Sequence, residues 1–213
     1  LTERQLARIL DGSDDSRYGL VKRALQAGAL VRIKRGSYVL SNQYRTHPVH
    51  PFRVAQALVV GSYVSMETAL AFHGWIPEAV FAVASVTPGR KSAEIDHPEF
   101  GHVSFHPLAH HKLAFLNGVE RHTINDQTML IAKPLRALLD IAAYKKLEWE
   151  GMGWITSGMR IDLELLLQIP KKEFSALRKV YRYKAVLEFL GALEKELSNL
   201  KARQKELVKG GLQ

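Results

Sequence analysis

The chain has 213 residues, of which 46% are hydrophobic and 24% charged, a composition typical of a soluble globular protein long enough for two domains. It has no cysteine and no run of about 18 apolar residues, which excludes disulfides, thiol catalysis, cysteine-based zinc sites and a membrane-spanning segment. The formal net charge of +9 favours a polyanionic partner, either nucleic acid or an anionic membrane.

Two short helices are predicted at the N-terminus. Thr2 to Gln5 matches a capping box, and Asp11-Gly12 ends the first helix. Ser13 or Asp14 can cap the second helix, and Gly28 is placed to end it. The second helix then has one apolar stripe, made of Leu20, Val21, Ala24 and Leu25.

A hairpin follows, with alternating strands on either side of Lys34-Arg35-Gly36. Two helices joined by a tight polar turn and followed by a cationic hairpin have the order of a winged helix, which places a helix in the major groove of DNA. The simpler alternative is that the cations form an ordinary solvated face.

On the winged-helix interpretation, residues 16–26 enter the major groove with their N-terminal side. Ser16, Arg17 and Tyr18 would then contact base edges, and Lys22 and Arg23 would contact phosphate. The hairpin cations would contact the DNA backbone or the minor groove. The candidate DNA-binding residues are Ser16, Arg17, Tyr18, Lys22, Arg23, Arg32, Lys34 and Arg35. Tyr38 is expected to pack beneath the hairpin.

Residues 41–51 have the composition of a linker, with two prolines and no periodicity. Helical patterns cover 52–60 and 66–73, the second with Ser65 as its expected cap. Between 80 and 131, short β-rich segments separated by turn residues predict a small, largely antiparallel sheet.

Helical patterns return between 133 and 208, beginning at Lys133-Pro134. The last helix carries a leucine-rich seam that either packs on its own domain, the more frequent case, or pairs two subunits. The seam consists of Val186, Leu190, Leu193, Leu197, Leu200 and Leu207.

The positive charge is concentrated at both ends of the chain. Residues 1–40 carry a net +4 and residues 170–213 a net +6, whereas residues 41–169 carry −1. The C-terminal excess predicts a second polyanion-binding surface, with a solvated helix face as an equally simple alternative. Its candidate residues are Lys171, Lys172, Arg178, Lys179, Arg182 and Lys184.

Catalytic and metal sites are not indicated by the sequence. His102 and His106 are four residues apart on a predicted strand, where about 13 Å separates their side chains, too far to share a metal ion. Glu94 and Asp96 share a strand face near Lys91, a faint likeness to a metal-dependent nuclease site. Asp140, within an apolar helix, is expected to accept a hydrogen bond in the core. We therefore predict a protein that is not an enzyme and that has no cofactor or metal.

One segment carries a family resemblance. Residues 61–77 read GSYVSMETALAFHGWIP and are followed by VASVT at 83–87. Together with Arg35 to Tyr38 and LRALLD at 135–140, they make the chain resemble the AbiEi family over about residues 1–145. The members of this family are antitoxins of bacterial type IV toxin–antitoxin systems and are also described as transcriptional regulators.

The resemblance implies a DNA-binding repressor of its own operon that also counters a toxin. The winged helix would bind inverted repeats of operator DNA in its own promoter, as a monomer or a weak dimer that is cooperative on DNA. The C-terminal part would oppose a nucleotidyltransferase-like toxin without forming a stable complex. A stand-alone winged-helix regulator with a ligand-sensing central domain is the alternative.

The expected fold is α+β. A winged helix-turn-helix over residues 1–44 precedes a mixed antitoxin domain over residues 52–213, which holds the sheet (80–131) and the helices (133–208). The absence of cysteine and of a visible secretory signal predicts a cytoplasmic protein without a membrane partner.

Overall fold

The computed structural model describes residues 1–78 and 80–210. Its α-helices are α1 (Glu3–Ile9), α2 (Asp14–Gln26), α3 (Pro51–Leu58), α4 (Met66–Phe72), α5 (Pro134–Lys145), α6 (Leu163–Leu167), α7 (Lys171–Leu177) and α8 (Lys184–Gly210). Its strands are β1 (Leu30–Lys34), β2 (Ser37–Leu40), β3 (Tyr63–Val64), β4 (Val83–Thr87), β5 (Ala93–His97), β6 (Gly101–Pro107), β7 (Val119–Ile124) and β8 (Gln127–Ala132). The predicted α+β class is confirmed, and the predicted antitoxin domain extends into 211–213, outside the described residues.

Residues 1–40, called the N-terminal unit below, contain α1, α2 and the antiparallel hairpin β1–β2. Thr2 and Gln5 form the expected capping box, and the Ser13 hydroxyl accepts a hydrogen bond from the Ser16 amide at the start of α2. Gly36, at the hairpin turn, has a positive φ of 71°, which a residue without a Cβ adopts at little cost. The small core consists of Leu6, Val21, Leu30 and Tyr38. Leu20, predicted to join the apolar stripe, is instead exposed because the stripe is narrower than the sequence suggested.

The second sheet has six strands in the order β5-β6-β4-β3-β8-β7. The pairs β5–β6 and β8–β7 are antiparallel, as predicted, and so is β4–β3, whereas β6–β4 and β3–β8 are parallel. The central strand β3 lies outside the predicted range of 80–131. It has only two residues, Tyr63 and Val64, which is too short for an alternating pattern to show in the sequence.

Helices cover this sheet and complete the core of the body, the name used below for residues 51–210. α5 is buried from Leu135 to Ala143, so it is a central helix rather than an amphipathic surface helix. In α8, the seam residues Val186 and Leu197 are buried within the chain, as are the two leucines between them, which confirms packing on the same domain. Leu207, at the far end of the seam, is 76% exposed. Within the described residues, none of the helices combines the length and the apolar composition that crossing a membrane requires.

Several polar contacts attach the N-terminal unit and the linker to the body, and three of them involve the hairpin or Arg45. The Lys34 ammonium donates to the carbonyl of Leu58 at the end of α3 (2.8 Å). His97 Nε2, at the end of β5, donates to the Arg32 carbonyl (2.9 Å). In the linker, Arg45 forms an ion pair with Glu99 (3.1 Å). These contacts fix the hairpin and the linker against the end of α3 and the β5–β6 edge of the body.

Candidate nucleic-acid interface

Most of the predicted DNA-binding side chains are exposed on the N-terminal unit. Ser16, Tyr18, Lys22 and Arg23 project from α2, and Arg32 and Arg35 project from the hairpin. The four cations in this set form no ion pair with any carboxylate in the described part of the chain. They form a positively charged surface that retains its full attraction for an anion.

Arg17 differs from the expectation that it contacts a base. Its guanidinium donates to the Gly12 carbonyl and to Asp14 Oδ1, and it is turned towards the start of its own helix. Asp14 and Asp15 occupy the first turn of α2, where their negative charges interact favourably with the helix dipole but repel phosphate. The N-terminal end of α2, which was expected to enter the groove, is therefore the least suited part of the helix for that role.

Lys34 also differs from its expected role as a free cation of the hairpin. Its ammonium is half-buried against the end of α3, where the last carbonyls of the helix lack partners within the helix. The sequence could not show this because the acceptor, the Leu58 carbonyl, lies 24 residues further along the chain. Arg35, next to it, remains exposed.

The outward face of α2 includes Gly19 in the middle of the helix. A helical glycine costs about 1 kcal/mol relative to alanine. A Cβ at Gly19 would meet only the end of the Arg23 side chain at 3.5 Å, an ordinary contact. Because internal packing does not require glycine here, Gly19 is suited to the close approach of another molecule.

The predicted C-terminal cations are exposed around α7 and the start of α8, but two of them have partners. Arg178 forms an ion pair with Glu194, and Lys184 forms one with Glu188 at 3.2 Å. The residues of the set without an ion pair among the described residues are Lys171, Lys172, Lys179 and Arg182.

His111 and Lys112 lie beside the C-terminal cations, although the sequence did not assign them to that surface. The His111 amide donates to the Val180 carbonyl (2.8 Å), and the Arg182 amide donates to the Ala109 carbonyl (2.9 Å). These bonds place His111 and Lys112 next to the segment containing Lys179 and Arg182. The His-His-Lys sequence at 110–112 was the available signal that this segment is basic. The sequence could not place it beside Lys179 and Arg182, because they lie about 70 residues further along the chain.

A buried charged network supports this region from inside the body. Arg136 and Asp140 are both fully buried, and Arg136 Nε donates to Asp140 Oδ1 (3.0 Å). Asp140 also accepts hydrogen bonds from Ser65 Oγ (2.7 Å), Tyr181 OH (2.7 Å) and Tyr63 OH (3.0 Å). The expectation that Asp140 accepts a hydrogen bond in the core is confirmed. Ser65, expected to cap α4, instead directs its hydroxyl to Asp140.

The titration of the network follows from its contacts. Burial alone would raise the pKa of Asp140, but the Arg136 guanidinium, His110 and the Ser65 hydroxyl outweigh burial and lower that pKa to about 2. Burial is the main cause that raises the pKa of the Tyr181 phenol, so its hydroxyl stays protonated and donates. The network is thus a neutralised ion pair, consistent with a structural role.

The remaining histidines and acids form polar contacts with one another at most in pairs and do not gather into a metal site within the described residues. His102 donates to Asp96 Oδ1 (2.7 Å), whereas His106 is bonded to Ser104 Oγ (3.0 Å) and contacts the Tyr144 ring at a tilt of 53°. The described residues include no group of three or more metal-ligating side chains. Glu94 and Asp96 lie exposed on β5, at the edge of the sheet.

No protein-family model matches the chain, and no curated protein matches it significantly.

Proposed function

We propose that the protein is a DNA-binding transcriptional regulator that uses the N-terminal unit as a winged helix. The observation that carries this proposal is a set of exposed cations on α2 and the hairpin that have no ion pair among the described residues: Lys22, Arg23, Arg32 and Arg35. Side chains alternate along a strand, so Arg32 lies on the same side of β1 as Leu30, which packs in the core that includes Val21 of α2. A duplex that contacts the hairpin there can also contact α2.

The proposed interface is centred on the C-terminal half of α2. Asp14 and Asp15 make the first turn of α2 unfavourable for phosphate, whereas Lys22 and Arg23 lie beyond it. Gly19 lies on the face of the helix opposite Val21 and leaves the helix backbone open to close approach. We assign Arg23 to base edges, because its planar guanidinium suits bidentate contact with guanine, and the hairpin arginines to phosphate.

The salt dependence of binding tests the proposal. Fluorescence anisotropy would measure the affinity for a duplex from the upstream region of the gene, and for a duplex of unrelated sequence, between 50 and 300 mM salt. Replacing Arg32 and Arg35 with Gln should weaken binding to both duplexes and reduce the slope of log K against log salt by about 2. The charge-matched control replaces Arg90 and Lys91, exposed between β4 and β5, with Gln and should leave the slope unchanged. Equal effects of the two double variants would contradict the proposed interface.

Gly19→Ala separates a binding role from a structural one. Alanine should raise the free energy of unfolding by about 0.5–1 kcal/mol, because it favours the helix and meets only the flexible Arg23 side chain. The added methyl group should nevertheless reduce DNA affinity. A variant that is more stable and binds DNA normally would remove Gly19 from the interface.

We propose further that this regulator is an antitoxin of a type IV system, which opposes a nucleotidyltransferase-like toxin without a stable complex. The resemblance of residues 61–77 and 135–140 to the AbiEi family supports this, together with the second cationic surface at Lys171, Lys172, Lys179 and Arg182. The test is growth of cells that co-express the protein with a nucleotidyltransferase encoded beside it. Neutralising those four cations should abolish protection while leaving DNA binding intact. Unchanged protection would exclude this surface from the antitoxin role.

The alternative is a ligand-sensing regulator without a toxin, which is favoured by a different observation. A cavity of about 500 Å³ lies between the hairpin, the linker and the body, lined by apolar residues such as Ile33 and Val49 together with Arg45 and Arg53. Cavities of this size hold small molecules. If the neighbouring gene encodes no nucleotidyltransferase, and small molecules that bind the protein change its DNA affinity, the alternative is supported over the antitoxin role.

A further inference from the structure

Two leucines project from the body on a short turn, which we call the leucine knob (Leu113 and Leu116). Leu113 lies in the 3-10 turn Lys112–Ala114 and is fully exposed, and Leu116 is half-exposed. Isolated exposed leucines are common, but paired ones on one turn form an apolar patch that water solvates poorly.

The leucine knob is held rigidly. Ala114 is buried, and the ring of Phe115 packs edge-on against that of buried Tyr63, with 5.1 Å between centroids. Arg136 Nη1, from the buried network, donates to the Asn117 carbonyl (2.8 Å). On the other side, the backbone bonds of His111 and Arg182 fix the start of the turn. The Leu113 side chain is exposed, but the fixed backbone of the turn loses little conformational entropy on binding.

The rim of the leucine knob is positively charged. No Asp or Glu occurs between Glu99 and Glu120 or between Glu173 and Glu188, the two segments that meet here. Lys112, Lys179 and Arg182 are exposed within them. The occupant of this surface therefore needs an apolar recess surrounded by carboxylates.

The same chain has a recess of that description, the acidic cleft between α1 and α2. It has a volume of about 430 Å³, and its apolar lining includes Leu6, Val21 and Tyr38. The carboxylates along it are Glu3, Asp14 and Asp15. Arg17 also lines the cleft, but its charge is paired with Asp14. Asp15 has no ion pair among the described residues.

We propose that the leucine knob of one copy of this chain docks into the acidic cleft of a second copy. A single contact of this kind is smaller than the roughly 1,000 Å² that a stable interface requires. Two reciprocal contacts related by a two-fold axis double the area and close the assembly. The expected product is a closed dimer that forms without DNA. Its rim shares Lys179 and Arg182 with the surface proposed for the antitoxin role, whereas Leu113 and Leu116 belong to the dimer contact alone.

Sedimentation velocity of the full chain between 1 and 100 μM, at 50 and 500 mM salt, tests this dimer. We expect a monomer–dimer equilibrium that weakens as salt rises, because the rims carry opposite charges. Leu113→Asp should raise the dimer dissociation constant by at least about 30-fold, the effect of losing an interface anchor. The matched control is Leu207→Asp, which places the same charge at an exposed leucine on α8 and should have no effect.

A charge swap provides a gain-of-function test. Lys112→Glu makes the rim of the knob more acidic, and Asp15→Lys makes the cleft more basic, so each variant alone should stay monomeric. Mixed together, the two variants should form a heterodimer, because both reciprocal contacts are then between opposite charges. Circular dichroism of each variant would establish that its fold is retained.

Several results would overturn the proposal. These are a wild-type monomer at 100 μM in low salt, equal effects of Leu113→Asp and Leu207→Asp, or a mixture of the charge-swapped variants that stays monomeric. Binding of the monomer to phosphatidylglycerol vesicles or to duplex DNA, lost in Leu113→Asp while no dimer forms, would assign the knob to a lipid or nucleic-acid partner instead.

Discussion

The N-terminal unit and the body differ in how they are stabilised. The N-terminal unit has four residues in its buried cluster, and side-chain contacts at its hairpin attach it to the body. The body has an extensive apolar core with a fully buried ion pair at its centre. The proposed DNA contacts thus lie on the part of the molecule with less buried apolar area, where local opening costs less free energy.

The largest expected effect is in the body. Asp140→Asn keeps the side-chain volume but leaves the Arg136 charge buried without its partner, which should lower the free energy of unfolding by about 3–5 kcal/mol. Because the pKa of Asp140 is about 2, this contribution is present at neutral pH and is lost only as pH falls towards that value. Urea denaturation measures the change. The exposed Asp162→Asn is the control and should change stability by less than about 0.5 kcal/mol.

The next effect should be confined to the N-terminal unit. Leu6→Ala leaves a cavity in its small core and should cost about 2–4 kcal/mol. Hydrogen exchange should then show faster exchange in α1, α2 and the hairpin while α5 keeps its protection. Leu20→Ala, at the exposed leucine of α2, should have little effect. Equal loss of protection in α5 would mean that the two regions unfold as one.

A smaller effect is expected where the two regions meet. Lys34→Met removes the hydrogen bond to the Leu58 carbonyl and should cost about 1–2 kcal/mol, seen as faster hydrogen exchange at the end of α3. Arg35→Met, at the adjacent exposed cation, should leave stability unchanged and weaken DNA binding instead. If Lys34→Met instead weakened DNA binding and left stability unchanged, Lys34 would belong to the DNA-binding surface.

The smallest effect is a dependence on pH that should distinguish the two regions. Burial lowers the pKa of both His73 and His106 in the body below the ordinary value of 6.5, so the unfolded chain binds protons more readily. The stability of the body should therefore be full above about pH 6.5 and decline as pH falls below it. Residues 1–40 contain no histidine, so local opening of the N-terminal unit should lack the contribution of these two histidines. Replacing both histidines with Gln should flatten the urea-unfolding profile between pH 7.5 and 5.5.

Local signals in the sequence predicted much of the fold. The capping box at Thr2, the Ser13 cap and the turn glycines Gly28 and Gly36 act over a few residues, so the N-terminal helices and the hairpin follow from the chain itself. The alternating segments and the proline at the start of α5 likewise placed most strands and the central helix. β3 was missed because two residues carry no period, and its place beside β4 and β8 is set by long-range pairing.

The same distinction between local signals and long-range contacts applies to the candidate site. The sequence by itself determined where the cations are, that Gly19 lies within the basic helix, and that Asp140 lies among apolar residues. Only the tertiary structure decided which cations remain available, because the partners of Lys34 and Arg178 lie 24 and 16 residues away along the chain. It alone also brought Lys112 beside Arg182, since hydrogen bonds between distant backbone segments leave no pattern in composition or periodicity.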